Sequence, residues 1–198
     1  MDLIKKAAAQ KKPGEEEIQK LVTPISELMG KIGEMEGKYR GKDFVNHMKT
    51  VAEGTPVLGW VVVEKTPGPY VKELIGSSEF WSNKILSTYK GKDENQIGWV
   101  NAFNGFLKAL VPYIMAHHAT GLSWNTGTRV AAAAPAAAPT VGGAERDFKA
   151  LIEEHLAIYS AESKKIGGVV QEQAEVFEKA VNLELELIAK AATQKKPA

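Results

Sequence analysis

Apolar residues recur every three or four positions through most of this chain, and that spacing limits the fold more than any other feature. Ile18, Leu21, Val22, Ile25, Leu28, Met29, Ile32, Met35 and Tyr39 form one such stripe. Side chains spaced this way return to one face of a helix, so the stripe has a single side to bury. Glu15, Glu16 and Glu17 fall in its first turn, where negative charge suits the helix dipole. Pro24 interrupts the pattern and is expected to kink or split the helix, because proline removes a backbone donor. A second stripe runs Phe44, Met48, Val51, Thr55, Leu58 and Val62, with Asp43 as its expected N-cap. Val61, Val62 and Val63 lean locally toward strand. After Thr66-Pro67-Gly68-Pro69, a good helix start, comes a third: Val71, Leu74, Ile75, Ser78, Trp81, Ile85 and Tyr89, with Gly91 suited to a left-handed C-terminal cap. The fourth is Ile97, Val100, Phe103, Leu107, Leu110, Ile114 and His117, weakened locally by Gly105 and Pro112. Phe148, Leu151, Ile152, His155, Tyr159 and Ile166 make the fifth, Gly167-Gly168 a turn, and Val170, Phe177, Ala180, Val181, Leu187, Ile188 and Ala191 the sixth. No segment alternates convincingly with period two. The expected fold is all-α, a six-helix antiparallel bundle.

Between the fourth and fifth stripes the composition changes. Ala131 to Ala138 is broken by Pro135 and closed by Pro139, and Gly142-Gly143 follows. Residues 126–145 therefore read as a flexible Ala/Pro/Gly linker. It joins four helices in 15–125 to two in 146–198, all of one domain. Residues 2–13 nearly copy residues 186–197, at opposite ends of the chain. A solenoid repeats in tandem, so residues 1–14 read instead as a duplicated helical end.

Charge and composition exclude several classes. Lys plus Arg number 25 and Asp plus Glu 24, a net charge of +1 without the basic excess of a nucleic-acid binder. Cysteine is absent, which removes disulfides, thiolate nucleophiles and cysteine-ligated metals. The N-terminal residues lack the apolar core of a signal peptide. The longest apolar stretch, Leu58 to Val63, is far too short to cross a membrane. The chain is expected to be soluble and intracellular, with no membrane partner. No Walker loop, GxGxxG, GxSxG or HExxH occurs. His117 and His118 would point about 100° apart on a helix and do not easily share a metal. His47, His117, His118 and His155 read as ordinary polar groups at the core edge or the surface, and no cofactor, metal or catalytic residue is expected. Glu172, Glu175, Glu178, Glu184 and Glu186 read as a solvated helix face. Phe80, Trp81, Trp99, Phe103, Phe106 and Tyr113 read as mostly core by spacing, and Trp124 as a clasp on the bundle. Lys38, Arg40, Lys42, Lys72, Lys84 and Lys90 cluster near helix ends and on the third helix, either as plain solvated charge or as a patch for an acidic protein surface.

Several segments together are specific: Phe44-Val45-Asn46-His47, Leu58-Gly59-Trp60-Val61, Pro67-Gly68-Pro69-Tyr70-Val71-Lys72-Glu73, Glu79-Phe80-Trp81-Ser82-Asn83-Lys84-Ile85-Leu86 and His118-Ala119-Thr120-Gly121-Leu122-Ser123-Trp124. In that order they resemble the N-terminal helical domain of cyclase-associated protein, and Leu21-Val22-Thr23-Pro24-Ile25-Ser26 is similar to its third helix. Residues 148–197 resemble that domain's first two helices, which in the family come first. The resemblance thus implies a circularly permuted order, cut between the family's second and third helices, with the duplicated ends at the cut. Loops of bundles tolerate such cuts.

The resemblance also implies a function. The family's helical domain is not an enzyme; it binds cofilin-decorated actin and filament pointed ends and promotes cofilin-dependent severing and depolymerisation. Actin and cofilin are then the expected partners, in the cytoplasm at the actin cytoskeleton. The duplicated ends add a homodimer through swapped or packed helices as an expectation. The family's coiled coil, polyproline, WH2 and β domains have no counterpart in this sequence, so reduced avidity is expected. Arg40, Lys42, Asn46, Lys72, Glu73, Asn83, Lys84 and Lys90 are the candidate actin- and cofilin-binding residues, polar positions in the matching segments without core duty. The alternative is a helical scaffold or adaptor without actin activity.

Overall fold

The computed structural model describes residues 14–63, 65–122 and 141–193. Among them lie six α-helices, one 3-10 segment and no strand. The helices are α1 (Glu15–Lys38), α2 (Val45–Gly54), α3 (Pro67–Tyr89), α4 (Glu94–His117), α5 (Val141–Ile166) and α6 (Gly168–Thr193), with the 3-10 segment Thr55–Val62 between α2 and α3. Each helix packs against the next in the chain, and α6 packs against α1, so the six close into a ring. Residue pairs across the seams show the alternation of direction. Thr50 faces Ser78 while Pro56 faces Tyr70, Glu79 meets Lys108 while Ser82 meets Asn104, and Trp99 meets Ser163 while Tyr113 stacks on Phe148. The expected part of the linker up to residue 140, the duplicated end up to residue 13 and Trp124 lie outside the described residues. Residues 141–145, expected in the linker, already belong to α5.

Local chemistry accounts for most boundaries. At the start of α1 the Gly14 N–H donates to Glu17 Oε2 at 3.3 Å, and the first helical amides return to Gly14 O. Pro24 neither splits α1 nor ends it. Pro24 and Lys20 are both exposed, so the carbonyl four residues back opens to solvent and its lost bond is cheap. Asp43 does not cap α2. Phe44 takes that place at φ 64°, in the left-handed region, with no side-chain capping bond. That conformation costs on the order of 1–2 kcal/mol outside glycine; here it turns the Phe44 ring edge-on to His47, 5.4 Å away. Gly91 does adopt the left-handed conformation past α3, at φ 71°, and Gly167 between α5 and α6 and Gly168 at the start of α6 share it at 73° and 53°. Asp93, unmarked by the stripes, caps α4 by accepting the Asn95 N–H at 3.0 Å.

The second stripe is where a regular helical period fails. After Gly54 the chain tightens, because Pro56 supplies no N–H and Thr55 Oγ1 donates back to Val51 O at 2.6 Å. With three residues per turn, Val57, Leu58, Trp60 and Val61 all turn inward, while Val62 is left exposed. Tyr70 Oη holds the segment from α3 by donating to Pro56 O at 2.8 Å. Two further expectations fail by burial: Leu21, Leu151 and Phe80 of the stripes and aromatic set lie exposed, and Glu184 of the acidic face is buried.

The core is densest along α4. Trp99, Phe103 and Phe106 are fully buried. Phe103 stacks on Trp99 at 6.0 Å and 10°, meets Tyr159 of α5 at 5.0 Å, and stands edge-on to Phe177 of α6 at 5.3 Å. A Cβ placed on Gly54 would lie 2.9 Å from Phe103 Cε1 and 3.1 Å from Leu107 Cδ1. The Phe103 ring and the Leu107 side chain thus fill the space beside Gly54. Gly30 of α1, by contrast, faces open space. A Gly54→Val variant should lose roughly 1–3 kcal/mol by overpacking, whereas Gly30→Ala should gain roughly 0.5–1 kcal/mol. Urea unfolding midpoints of the two variants check this, and a neutral Gly54→Val would refute the close packing of Phe103 and Leu107 on Gly54.

Candidate functional site

Helix α3 is buried on a heptad rhythm: Val71, Ile75, Ser78, Ser82 and Ile85 face inward. The two serines let neighbours come close, and Ser78 Oγ donates to Thr50 O of α2 at 2.8 Å. Residues two positions from this line point away from the core. Phe80 is among them and is 59% exposed. Trp81 beside it is half-buried, its ring 5.1 Å from that of Phe80 at 85°. Spacing alone put both in the core; the inward serines were the signal that the stripe runs along a different line.

Two cations sit on this pair. Lys84 Nζ lies 3.9 Å from the Trp81 ring centroid and 4.4 Å from that of Phe80, and Lys49 Nζ of α2 lies 3.9 Å from Trp81. Cation–π contacts of this kind are worth about 0.5–1 kcal/mol at exposed sites. Two shallow hollows flank Phe80. One is lined by Glu53, Glu73, Gly76 and Ser77 with the two aromatics, the other by Asn83, Lys84, Ser87 and Thr88. On the inner side, Lys108 pairs with Glu79 at 2.7 Å and Asn104 donates to Ser82 Oγ at 3.1 Å, fixing α3 on α4.

The structure therefore brings Glu73, Asn83 and Lys84 to one face. Lys72 is exposed on α3 but lines neither hollow. Arg40, Lys42 and Lys90 lie elsewhere, in the turns that end α1 and α3. Those turns share one end of the bundle, since the His47 ring lies 5.4 Å from Phe44 and 6.3 Å from Tyr89. Arg40 reaches Glu36 at 3.6 Å, and Lys42 lies 5.4 Å over Tyr39. Asn46 is half-buried in the first turn of α2, its carbonyl accepting from Thr50 Oγ1 at 2.7 Å. Phe80, Trp81 and Lys49 were not among the sequence candidates.

Beneath the surface lie buried titratable groups, His47 and Glu184 among them. His47 Nε2 lies 2.6 Å from Gln96 Oε1; an amide oxygen only accepts, so Nε2 carries the proton. Burial pushes this imidazole down to about 4, against the opposing Gln96 bond. Glu184 of α6 is buried near Trp60, and burial holds its carboxyl well above the usual carboxylate range, with the Trp60 indole opposing. Neither Glu184 Oε1 nor Trp60 Nε1 meets hydrogen-bond geometry with a partner. Among the described residues no three His, Asp or Glu side chains converge closely enough for a metal ion, and no described helix is long and apolar enough to cross a membrane.

The described fold is an all-α bundle whose α3 carries an outer aromatic and charged face with two shallow hollows. The sequence pattern of the family described as the N-terminal domain of CAP matches residues 1–122 and 148–198. The chain is 39% identical over 143 residues to adenylyl cyclase-associated protein of Dictyostelium discoideum, covering 72% of this chain and 31% of that protein. It is 37% identical over 119 residues to human adenylyl cyclase-associated protein 2, covering 60% of this chain and 25% of that protein. The solved N-terminal domain of the Dictyostelium discoideum protein aligns with a TM-score of 0.58 at 39% identity, covering 68% of this chain and 76% of that one. A second crystal structure of the N-terminal domain of CAP, which indicates variable oligomerisation there, aligns with a TM-score of 0.58 at 40% identity, covering 67% of this chain and 72% of that one. The chain belongs to the family of CAP N-terminal domains, and it spans between a quarter and a third of these two full-length relatives.

As the pH falls through about 6.5 the unfolded chain protonates His47 before the folded chain does. Stability is then lost until the folded imidazole itself titrates near 4, a loss of up to about 3 kcal/mol. Urea midpoints measured from pH 7 to pH 4 should fall more steeply in the parent than in a His47→Gln variant; equal slopes would overturn this account.

Proposed function

We propose that this chain is an actin-turnover domain. In this reading it binds cofilin-decorated actin and filament pointed ends and promotes cofilin-dependent severing and depolymerisation, in the cytoplasm at the actin cytoskeleton. Membership of the CAP N-terminal domain family is the observation that carries the reading. The α3 face supports it, because Glu73, Asn83 and Lys84 stand exposed around an aromatic pair with no core duty. Arg40, Lys42 and Lys90 would add a second basic contact at the bundle end, and Lys72 and Asn46 would extend these two surfaces. A rigid bundle that holds the terminal subunit in its departing arrangement speeds departure only if it binds that arrangement better than the filament one.

The permuted order belongs to the same proposal. Its supports are the two separate blocks of the family match and the contact of α6 with α1, which makes the first and last described helices neighbours. Residues 126–145 would then act as the joining linker, and the duplicated residues 1–14 would compete for one helical position. Where they lose, packing or exchange into a second copy would give a homodimer. Light scattering on a size-exclusion column should show a species of twice 21.5 kDa that disappears when residues 1–14 are removed; a parent that stays monomeric would refute it.

Charge reversal at Lys84 and Lys90 together should abolish the acceleration of filament disassembly with cofilin while leaving the circular dichroism unchanged. Undiminished disassembly by a folded variant would refute these two contacts. A parent chain that neither cosediments with cofilin and actin nor speeds disassembly would instead favour a scaffold without actin activity.

A further inference from the structure

Phe80 is the most exposed large apolar side chain among the described residues. A single exposed apolar residue is ordinary, but this one is held in place. Trp81 stands edge-on to it, Lys84 covers both rings, and Lys49 reaches the same indole from a second helix. Much of the ordering that binding usually demands of a side chain is thus met in the free protein. Aromatic side chains are enriched in the cores of interfaces, and Trp is among the residues that dominate hot spots.

The charges beside it choose the partner. Among the described residues no carboxylate pairs with Lys49 or Lys84, whereas Lys108, Lys149 and Lys165 each have one. The hollow on the Lys84 side adds Asn83, whose amide can donate to a carboxylate. Ser87 and Thr88 spend their hydroxyl protons on the carbonyls of Asn83 and Lys84. The other hollow carries Glu53 and Glu73. The face is therefore dipolar along α3, positive beyond Phe80 and negative before it, and an acidic segment fits it in one direction only.

Resting on the reading of the α3 face as the docking face, we infer that Phe80, Trp81, Lys49 and Lys84 receive an acidic protein segment carrying one large apolar side chain. The apolar side chain packs against Phe80, and its neighbouring carboxylates meet Lys84 and Asn83. A segment with basic residues in those places meets like charge and is excluded.

The full chain can be titrated with a synthetic peptide carrying one Leu with Glu residues on one side of it and neutral residues on the other, and with the same peptide with Lys in place of Glu, followed by Trp fluorescence and calorimetry. The acidic peptide should bind and weaken with added salt, and the basic one should not bind. Phe80→Ala should weaken the acidic peptide about tenfold with unchanged circular dichroism. A double variant, Lys49→Glu with Lys84→Glu, should reverse the preference. No binding of the acidic peptide by the parent, or equal binding by folded Phe80→Ala, would overturn the inference. Filament disassembly measured on the same variants separates the two readings. A Phe80→Ala protein that loses the peptide but keeps disassembly supports the acidic docking site and moves the actin contacts elsewhere. One that keeps the peptide but loses disassembly overturns the site and leaves the actin reading standing.

Discussion

The ring of Phe103 is where the bundle converges. From the middle of α4 it touches Tyr159 of α5 and Phe177 of α6, stacks along Trp99 of its own helix, and leaves no room for a side chain at Gly54 of α2. Four helices are thereby set at fixed distances from one buried ring. Full burial of such a side chain contributes roughly 1.5–3 kcal/mol by area alone, and aromatic pairs in edge-to-face geometry add to it. The Trp99 indole N–H, which would be costly if buried without a partner, donates to Ser163 Oγ of α5 at 3.0 Å. Because α4 is pinned on this side by aromatics and on the other to α3 by the Glu79–Lys108 and Ser82–Asn104 contacts, the outer face of α3 inherits a rigid support.

That support gives the Phe80 face its character. An aromatic pair on a flexible loop would be free to fold inward, but on α3 it cannot, since the inward positions are filled by Ser78 and Ser82 against neighbouring backbone and side chains. The only relief for the rings is local, and Lys49 and Lys84 supply it. A similar economy marks the buried polar groups. His47 is tied to Gln96, and Gln173 of α6 donates to Met48 O of α2 at 3.2 Å. These bonds link helices that are far apart in sequence, and they fix register where apolar packing would tolerate a slip.

The family's helical domain matches this chain in two blocks of sequence on either side of residues 123–147. In a closed ring every helix has two neighbours, so the seam where the chain is interrupted can be moved without loss of a packing surface. This is a physical reason for such a bundle to accept a new order of its helices, with the surface that α3 presents left intact.

The apolar spacing by itself determined the number of helices, their approximate ends at Gly91 and Gly167, and the absence of strands among the described residues, because a 3.6-residue period leaves one face to bury and glycine alone adopts the left-handed turns cheaply. The segments around Pro67 and Trp81 determined the family. The spacing could not tell which residues of an amphipathic helix with several apolar positions meet a neighbour and which meet water. Phe80 and Leu151 face out, and Glu184 faces in, because the axes of adjacent helices choose the buried line and two serines on α3 mark it more faithfully than the aromatics do. Nor could it show that Pro56 and Gly54 tighten the second stripe into a 3-10 turn, or that Lys49, remote in sequence from Trp81, would share its ring. Those outcomes depend on the distance between two helices, which only the packing of the whole ring around α4 fixes.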